Sequence, residues 1–159
     1  MAEIRRAAVY VEKGGVGKTT SAAHLGVAAA IDHGLDVLLI DLAGSQNDLS
    51  AQFGITDQTA DPDAAIAAVF EEQWEFIRSN VDDVVERMTF ETGEGPDLVP
   101  SAGLGAADNS LANVPVEDRY DRLNRFLTED VAPEYDLVVL DLPGADSNIA
   151  LNGLFAAED

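Results

Sequence analysis

The chain has 159 residues, enough for one domain, and 47% of them are hydrophobic, which supports a packed core and excludes a disordered chain. It carries 30 acidic and nine basic residues, and the resulting net charge of −21 argues by itself against a nucleic-acid-binding surface. It has no cysteine, which excludes disulfides, iron–sulfur clusters and thiol catalysis.

The N-terminal third predicts one strand–helix–strand unit. Residues 4–12 contain a near-continuous apolar run, as a buried parallel strand does, and a glycine-rich turn follows. Residues 17–33 are rich in alanine and leucine and predict a helix that ends at Gly34. Residues 36–42 predict a second buried strand, and this order favours a parallel sheet.

The remaining elements are less regular. Asp61 precedes Pro62 and predicts the cap of a helix that runs to residue 70. The other predicted elements are two short helices within 71–92, a strand at 97–100, a loop at 101–115, a helix at 116–131, a strand at 135–142 and a helix at 147–157.

No segment predicts targeting or membrane insertion. The first residues include two arginines but no long apolar stretch, so they do not resemble a signal peptide. No apolar run reaches the roughly 18 residues that a membrane helix needs. We therefore expect a cytoplasmic protein.

The segment KGGVGKTT, residues 13–20, lies between a predicted strand and a predicted helix. Its glycines allow successive backbone N–H groups to point at one anion, and the helix N-terminus adds its positive end. Lys18 would then bridge terminal phosphates, and the Thr19 hydroxyl would bind Mg²⁺. The segment thus predicts a phosphate-binding loop, although Glu12 stands where the standard pattern has glycine.

The lysine content gives the acidic charge a second interpretation. Lys13 and Lys18 are the only lysines, and both lie in this loop. An acid-rich, lysine-poor surface is typical of proteins from salt-loving organisms, in which molar salt screens self-repulsion. The alternative is an acidic functional face, and composition alone leaves both open.

The loop resembles the deviant phosphate loop of the ParA/MinD superfamily of dimerising ATPases. Three further segments resemble the family: VLLIDLAGSQNDLSAQFG at 37–54, DLVPS at 97–101 and YDLVVLDLPGADSNIALNGLFAAED at 135–159. The resemblance implies an α/β P-loop NTPase fold with a mostly parallel sheet flanked by helices. It also implies that residues 1–159 are the N-terminal portion of a single domain, truncated before the family's later strands.

The resemblance also implies roles for individual residues. Lys13 would be the signature lysine, which reaches the phosphates bound by the partner subunit of a nucleotide-sandwich dimer. Asp41 and Asp141 each end a predicted strand, where ligands of open α/β sheets bind, and would hold Mg²⁺ through water. The alternative for each acid is a cap of the next turn.

The remaining family positions bind nucleotide: Gly14, Gly15, Val16 and Gly17 through backbone amides, Lys18 and Thr19 as above, and Thr20 at the α-phosphate. Lys13, Lys18 and Asp41 would be the catalytic set, and Thr19, Asp41 and Asp141 the metal set.

The chain departs from the family at Ala43. Family members carry a second acid here that is thought to position the attacking water, and alanine cannot orient water. Hydrolysis is then slow, or Gln46 or Asp48 substitutes, or the change is a lineage variant with ordinary activity. A glutamine orients water in other phosphate-loop enzymes.

The function implied is MgATP binding and hydrolysis coupled to homodimerisation, most like plasmid or chromosome partition. The resemblance implies a centromere-binding partner protein and a non-specific DNA surface in the family's C-terminal part. ATP rather than GTP rests on the resemblance alone. Two alternatives remain: a MinD-like membrane-associated positioning ATPase, and a nucleotide-dependent binding module that hydrolyses little.

Overall fold

The structure is a computed structural model that describes residues 3–10, 17–43, 48–144 and 146–157. Its strands are β1 (Arg5–Val9), β2 (Val37–Asp41), β3 (Phe90–Glu91), β4 (Asp97–Val99) and β5 (Leu137–Asp141). Its α-helices are α1 (Lys18–His33), α2 (Asp48–Gln52), α3 (Thr56–Thr59), α4 (Trp74–Asn80), α5 (Val84–Arg87), α6 (Leu104–Leu111), α7 (Val116–Arg119), α8 (Arg122–Phe126) and α9 (Asn148–Ala156). A 3₁₀ helix spans Ile66–Phe70, and a π-helical turn spans Leu127–Val131. Within this part of the chain, no helix is both long and apolar enough to cross a membrane.

The five strands form one sheet in the order β1-β5-β2-β4-β3, parallel except for β3. This confirms the predicted α/β class with a mostly parallel sheet. β1 and β2 do not pair, because β5 lies between them. Val9 on β1 and Asp41 on β2 are both in register with Asp141, so these three strands end side by side.

The three inner strands of the sheet, β5, β2 and β4, are buried on both faces, whereas the edge strands β1 and β3 are partly exposed. Alternate β2 residues belong to two hydrophobic clusters: Leu38 and Ile40 to the larger one and Leu39 to a smaller one beneath α1. α1 approaches the sheet closely because its inner face is small. A Cβ added at Gly26 would lie 2.5 Å from Cδ2 of Leu39. The close packing of α1 on β2 therefore places the helix directly against the sheet.

Two predictions between residues 61 and 115 are wrong. Asp61 does not cap a helix; Ala65 is extended, and only Ile66–Phe70 is helical, as a short 3₁₀ turn with Ile66, Val69 and Phe70 in the core. Residues 101–115 are not all loop, because α6 occupies Leu104–Leu111. In both segments, apolar residues are scattered among small polar ones. Their packing into the core determines where each helix forms.

The helix predicted over 116–131 is broken into α7, α8 and the π-helical turn. The break between α7 and α8 frees backbone groups, which the buried side chain of Asn152 satisfies. Its Nδ2 donates to the Arg119 carbonyl at 3.0 Å, and its Oδ1 accepts from the Leu123 N–H at 3.3 Å. Asn152 lies on α9, 29 and 33 residues along the chain from the two residues that it contacts. No local sequence pattern therefore shows that the helix breaks here.

Candidate functional site

The candidate site lies where β5 and β2 end beside the first turn of α1. Asp141 and Asp41 are the last residues of these strands, and their exposed fractions are 0% and 1%. They are direct register partners, so two carboxylates meet at the carboxyl edge of the sheet. That edge is where open α/β sheets bind ligands.

The Asp141 carboxylate accepts hydrogen bonds from the side chains of the first two residues of α1. Lys18 Nζ lies 2.5 Å from its Oδ1, and the Thr19 hydroxyl donates to its Oδ2 at 2.9 Å. The Lys18 side chain is only 11% exposed. A buried carboxylate needs such partners, because an unpaired charge in the interior is costly.

Asp41 is held by backbone amides. Its Oδ1 accepts from the Ala43 N–H at 3.0 Å and its Oδ2 from the Leu49 N–H at 3.4 Å. The pKa of the Asp41 carboxyl is raised to about 6, chiefly by burial. The hydrogen bonds from the Ala43 and Leu49 amides lower this pKa, and the negative charges of Asp141 and Asp48 raise it. The group is thus mostly ionised at neutral pH but less stably charged than an exposed aspartate.

The start of α1 is suited to a phosphate. Gly17 precedes the helix with φ of +79°, a conformation that side chains rarely adopt, and apart from its chain neighbours no described residue has an atom within 4 Å of the position its Cβ would take. The helix has 16 residues, and its N-terminal turn carries no acidic residue. Its free amides and positive end therefore favour an anion beside Lys18.

The oxygen groups at this edge fit Mg²⁺. Mg²⁺ prefers oxygen ligands and usually takes one or two carboxylates together with water and substrate phosphates. Thr19 supplies a hydroxyl, and Asp141 and Asp41 supply carboxylates. The described ranges hold no group of three or more acidic or histidine side chains able to bind a metal, so a metal here would depend on phosphate and water.

The structure thus brings together four of the predicted residues: Lys18, Thr19, Asp41 and Asp141. The Thr20 hydroxyl does not contact Asp141; it lies 3.5 Å from Oε1 of Gln52 on α2. Lys13, Gly14, Gly15, Val16 and Gln46 lie outside the described residues. Their roles stay predictions.

Sequence reasoning missed Asp108 of α6. Its Oδ1 accepts from the Ile149 N–H at 3.0 Å, and its carbonyl accepts from Nδ2 of Asn148 at 3.3 Å. Asp108 thereby fixes the start of α9, which follows the segment after Asp141. The buried spacing of Leu104, Ala107 and Leu111 is helical and was the available signal for α6.

Comparison with known protein families gives one match over almost the whole chain. The AAA domain family AAA_31 matches residues 4–159. The sporulation initiation inhibitor protein Soj of Bacillus subtilis is 30% identical over 151 residues, covering 95% of this chain and 54% of Soj. A ParA family protein of Chlamydia trachomatis is 32% identical over 160 residues, with coverages of 95% and 54%. The chain therefore spans about half the length of these relatives.

Solved structures share the fold. A cobyrinic acid a,c-diamide synthase from Mycobacterium smegmatis with bound ATP analog and magnesium has a TM-score of 0.79 and 29% identity, covering 99% of this chain and 58% of that one. A plasmid partition protein from Borrelia burgdorferi has a TM-score of 0.65 and 23% identity, covering 98% and 62%. The fold, the carboxyl-edge site and the family match together show that the chain belongs to the AAA_31 family of AAA domains, within the ParA/MinD superfamily of P-loop ATPases.

Proposed function

We propose that this chain is the nucleotide-binding portion of a ParA-type ATPase that binds MgATP, dimerises on it and hydrolyses it slowly. The observation that carries the proposal is the group formed by Lys18, Thr19 and Asp141 at the N-terminus of α1. It combines a cation for phosphate with a hydroxyl and a carboxylate for Mg²⁺, at the edge where this class of sheet binds ligands.

The proposal assigns a role to each group. Lys18 binds the terminal phosphates, and the amides of residues 14–17 hold the phosphate chain, with Thr20 at the α-phosphate. Thr19, Asp141 and Asp41 hold Mg²⁺, which when bound neutralises charge on the phosphates. Lys13 reaches the phosphates bound by the partner subunit, and together with Lys18 and Asp41 it forms the catalytic set.

Slow hydrolysis is supported by Ala43. Its backbone N–H is already donated to Asp41, and its methyl group cannot orient a water molecule. Asp48 is exposed and opens α2, and its charge acts on Asp41, so it is one candidate substitute. Gln46 is the other.

The cellular part of the proposal rests on the relatives. By similarity to ParA proteins, the complete protein acts in the cytoplasm in plasmid or chromosome partition, with a centromere-binding partner protein and non-specific DNA. The low lysine content and net charge of −21 support adaptation to high salt. A MinD-like positioning role at a membrane is the alternative.

A second candidate function is a nucleotide-dependent binding module with little turnover. Ala43 is the observation that favours it, because positioning of the nucleophile supplies much of the catalysis in phosphoryl transfer. The two functions share the nucleotide site and differ in whether bound ATP is consumed.

The experiment compares the two lysines in the complete protein. Lys18→Ala should weaken MgATP binding by about tenfold or more, because a charge-assisted contact in a partly dehydrated site is lost. Lys13→Ala should retain ATP binding but weaken ATP-dependent dimerisation. Calorimetry measures the first effect and sedimentation the second.

Arg87→Ala is the matched control, since it removes an exposed positive charge from α5 and should change neither measurement. Unchanged ATP affinity in folded Lys18→Ala would contradict the nucleotide site. Normal ATP-dependent dimerisation of Lys13→Ala would contradict the sandwich-dimer role.

A further inference from the structure

Lys18 and Asp141 form a buried ion pair inside the candidate nucleotide site. Their atoms are 2.5 Å apart, the Lys18 side chain is 11% exposed and Asp141 is fully buried. The second oxygen of Asp141 accepts from Thr19 at 2.9 Å. Both oxygens of this carboxylate, and the charge of this lysine, are therefore already engaged within the protein.

These are the same groups that phosphate and Mg²⁺ require. Phosphate oxygens must compete with Asp141 for the Lys18 ammonium, and Mg²⁺ must compete with Lys18 and Thr19 for the Asp141 carboxylate. A buried charge that loses its partner is costly. Neither ligand alone can therefore break the pair without leaving one charge uncompensated.

Asp41 provides the contrast within the same site. It is as deeply buried and in register with Asp141, but its oxygens accept from the backbone amides of Ala43 and Leu49. Across the described residues, no ion pair joins a basic side chain to Asp41. Only one of the two carboxylates at this edge thus holds the phosphate-binding lysine.

We infer that Asp141 is an internal counter-ion that holds Lys18 and Thr19 while nucleotide is absent, so that Mg²⁺ and ATP each release the group that the other binds. Mg²⁺ takes Asp141 and frees Lys18 for the phosphates; the phosphates take Lys18 and free Asp141 for the metal. The two ligands then bind with positive coupling, which is reciprocal by thermodynamic necessity. This regulation rests on the proposed nucleotide-binding function and goes beyond it.

The test measures ATP affinity of the complete protein by calorimetry, once in EDTA and once with Mg²⁺. Asp141→Asn should bind metal-free ATP about tenfold more tightly than wild type, because Lys18 no longer has to leave a charge-assisted partner. The enhancement of ATP affinity by Mg²⁺ should shrink by a similar factor.

Asp41→Asn is the matched control for this comparison. It removes an equally buried carboxylate from the same edge and therefore the same kind of repulsion toward phosphate, but it frees no lysine. It should tighten metal-free ATP binding much less than Asp141→Asn does. Equal tightening by the two variants would show simple repulsion and would overturn the inference.

A second measurement needs no nucleotide. Melting temperatures of Lys18→Met, Asp141→Asn and the double variant form a double-mutant cycle in EDTA. The double variant should lose less than the sum of the single losses, because each single variant leaves one charge buried and unpaired.

Additive losses in this cycle would overturn the inference while leaving the proposed function intact. If wild type binds no ATP with or without Mg²⁺, the proposed function fails and the inference fails with it. The two failures are therefore distinguishable.

Discussion

At the residue scale, Asp41 and Asp141 show how environment separates two identical side chains. Both end a parallel strand and both are buried. Asp141 accepts hydrogen bonds from Lys18 and Thr19, whereas Asp41, among the described residues, accepts them from the backbone N–H groups of Ala43 and Leu49. This difference gives Asp41 a pH-dependent effect on stability.

The pKa of Asp41 is raised to about 6, first by burial, so the folded chain holds this proton more tightly than the unfolded chain does. Over the pH range from the ordinary value near ~4 to about 6, the folded state binds more protons, so this group's contribution to stability falls as pH rises. We predict that Asp41→Asn, which mimics the neutral acid, gains stability relative to wild type between pH 5 and pH 8, by roughly 1–1.5 kcal/mol.

The measurement is thermal or denaturant unfolding of both proteins in EDTA at the two pH values. The comparison at pH 5 is its own control, because Asp41 is then mostly neutral in the folded wild type and resembles asparagine. A difference between the two proteins that stays constant from pH 5 to pH 8 would contradict the raised pKa.

Ala43 is the position at which the proposed slow hydrolysis can be tested. If no neighbour replaces the missing acid, Ala43→Asp should raise ATP turnover, on the order of 10²-fold by analogy with the loss of one preorganised donor, without tightening ATP binding. If a neighbour has replaced it, Ala43→Asp should do little, and Asp48→Ala or Gln46→Ala should abolish turnover.

Single-turnover hydrolysis of these three variants at molar salt is the measurement, with ATP affinity measured in parallel. Asp57→Asn, an exposed substitution on α3, is the control for general effects of acidic residues on the rate. Turnover equal to wild type in all three variants would exclude this loop as the source of the water-positioning group.

At the element scale, the close approach of α1 to the sheet is a measurable constraint. We predict that Gly26→Ala destabilises the protein by about 1–2 kcal/mol, because the new methyl group would overlap the fully buried Leu39 and the gain in helix propensity offsets only part of that cost. Gly105→Ala in α6 is the matched control, since outside its own helix turn no atom of the described residues lies within 4 Å of its new Cβ.

Urea unfolding of both variants measures this difference, and Gly105→Ala should be about 0.5–1 kcal/mol more stable than wild type. Equal effects of the two substitutions would show that α1 lies farther from β2 than the structure places it.

Elements buried on both faces were predictable from sequence, and elements decided by distant partners were not. β2 and β5 show continuous apolar runs because parallel strands are covered on both sides, and each run ends in the aspartate that forms the site. By contrast, no local pattern shows that β5 lies between β1 and β2, or that Asn152 compensates the break before Leu123. The Lys18–Asp141 pair joins residues 123 positions apart, so only the packing of α1 against the end of β5 reveals it.

At the scale of the whole molecule, charge dominates. The net charge is −21, because 30 acidic residues stand against only nine lysines and arginines. Most carboxylates therefore repel one another without a local cation. Dissolved salt is the remaining source of compensation, since the screening length falls to about 3 Å at molar concentration.

We therefore predict that the melting temperature rises by on the order of 5–10 °C between low salt and molar KCl, which corresponds to a few kcal/mol for a chain of this size. Salt also strengthens apolar burial in any protein, so a rise alone would not identify screening.

A variant that neutralises four exposed acids, Asp57→Asn, Asp63→Asn, Glu91→Gln and Glu117→Gln, separates the two causes. It should be more stable than wild type in low salt, because self-repulsion is smaller, and its melting temperature should rise less with KCl. Calorimetric scans of both proteins over a KCl series test this. A flat curve for wild type, or equal slopes for the two proteins, would contradict salt adaptation and would favour an acidic face with a function of its own.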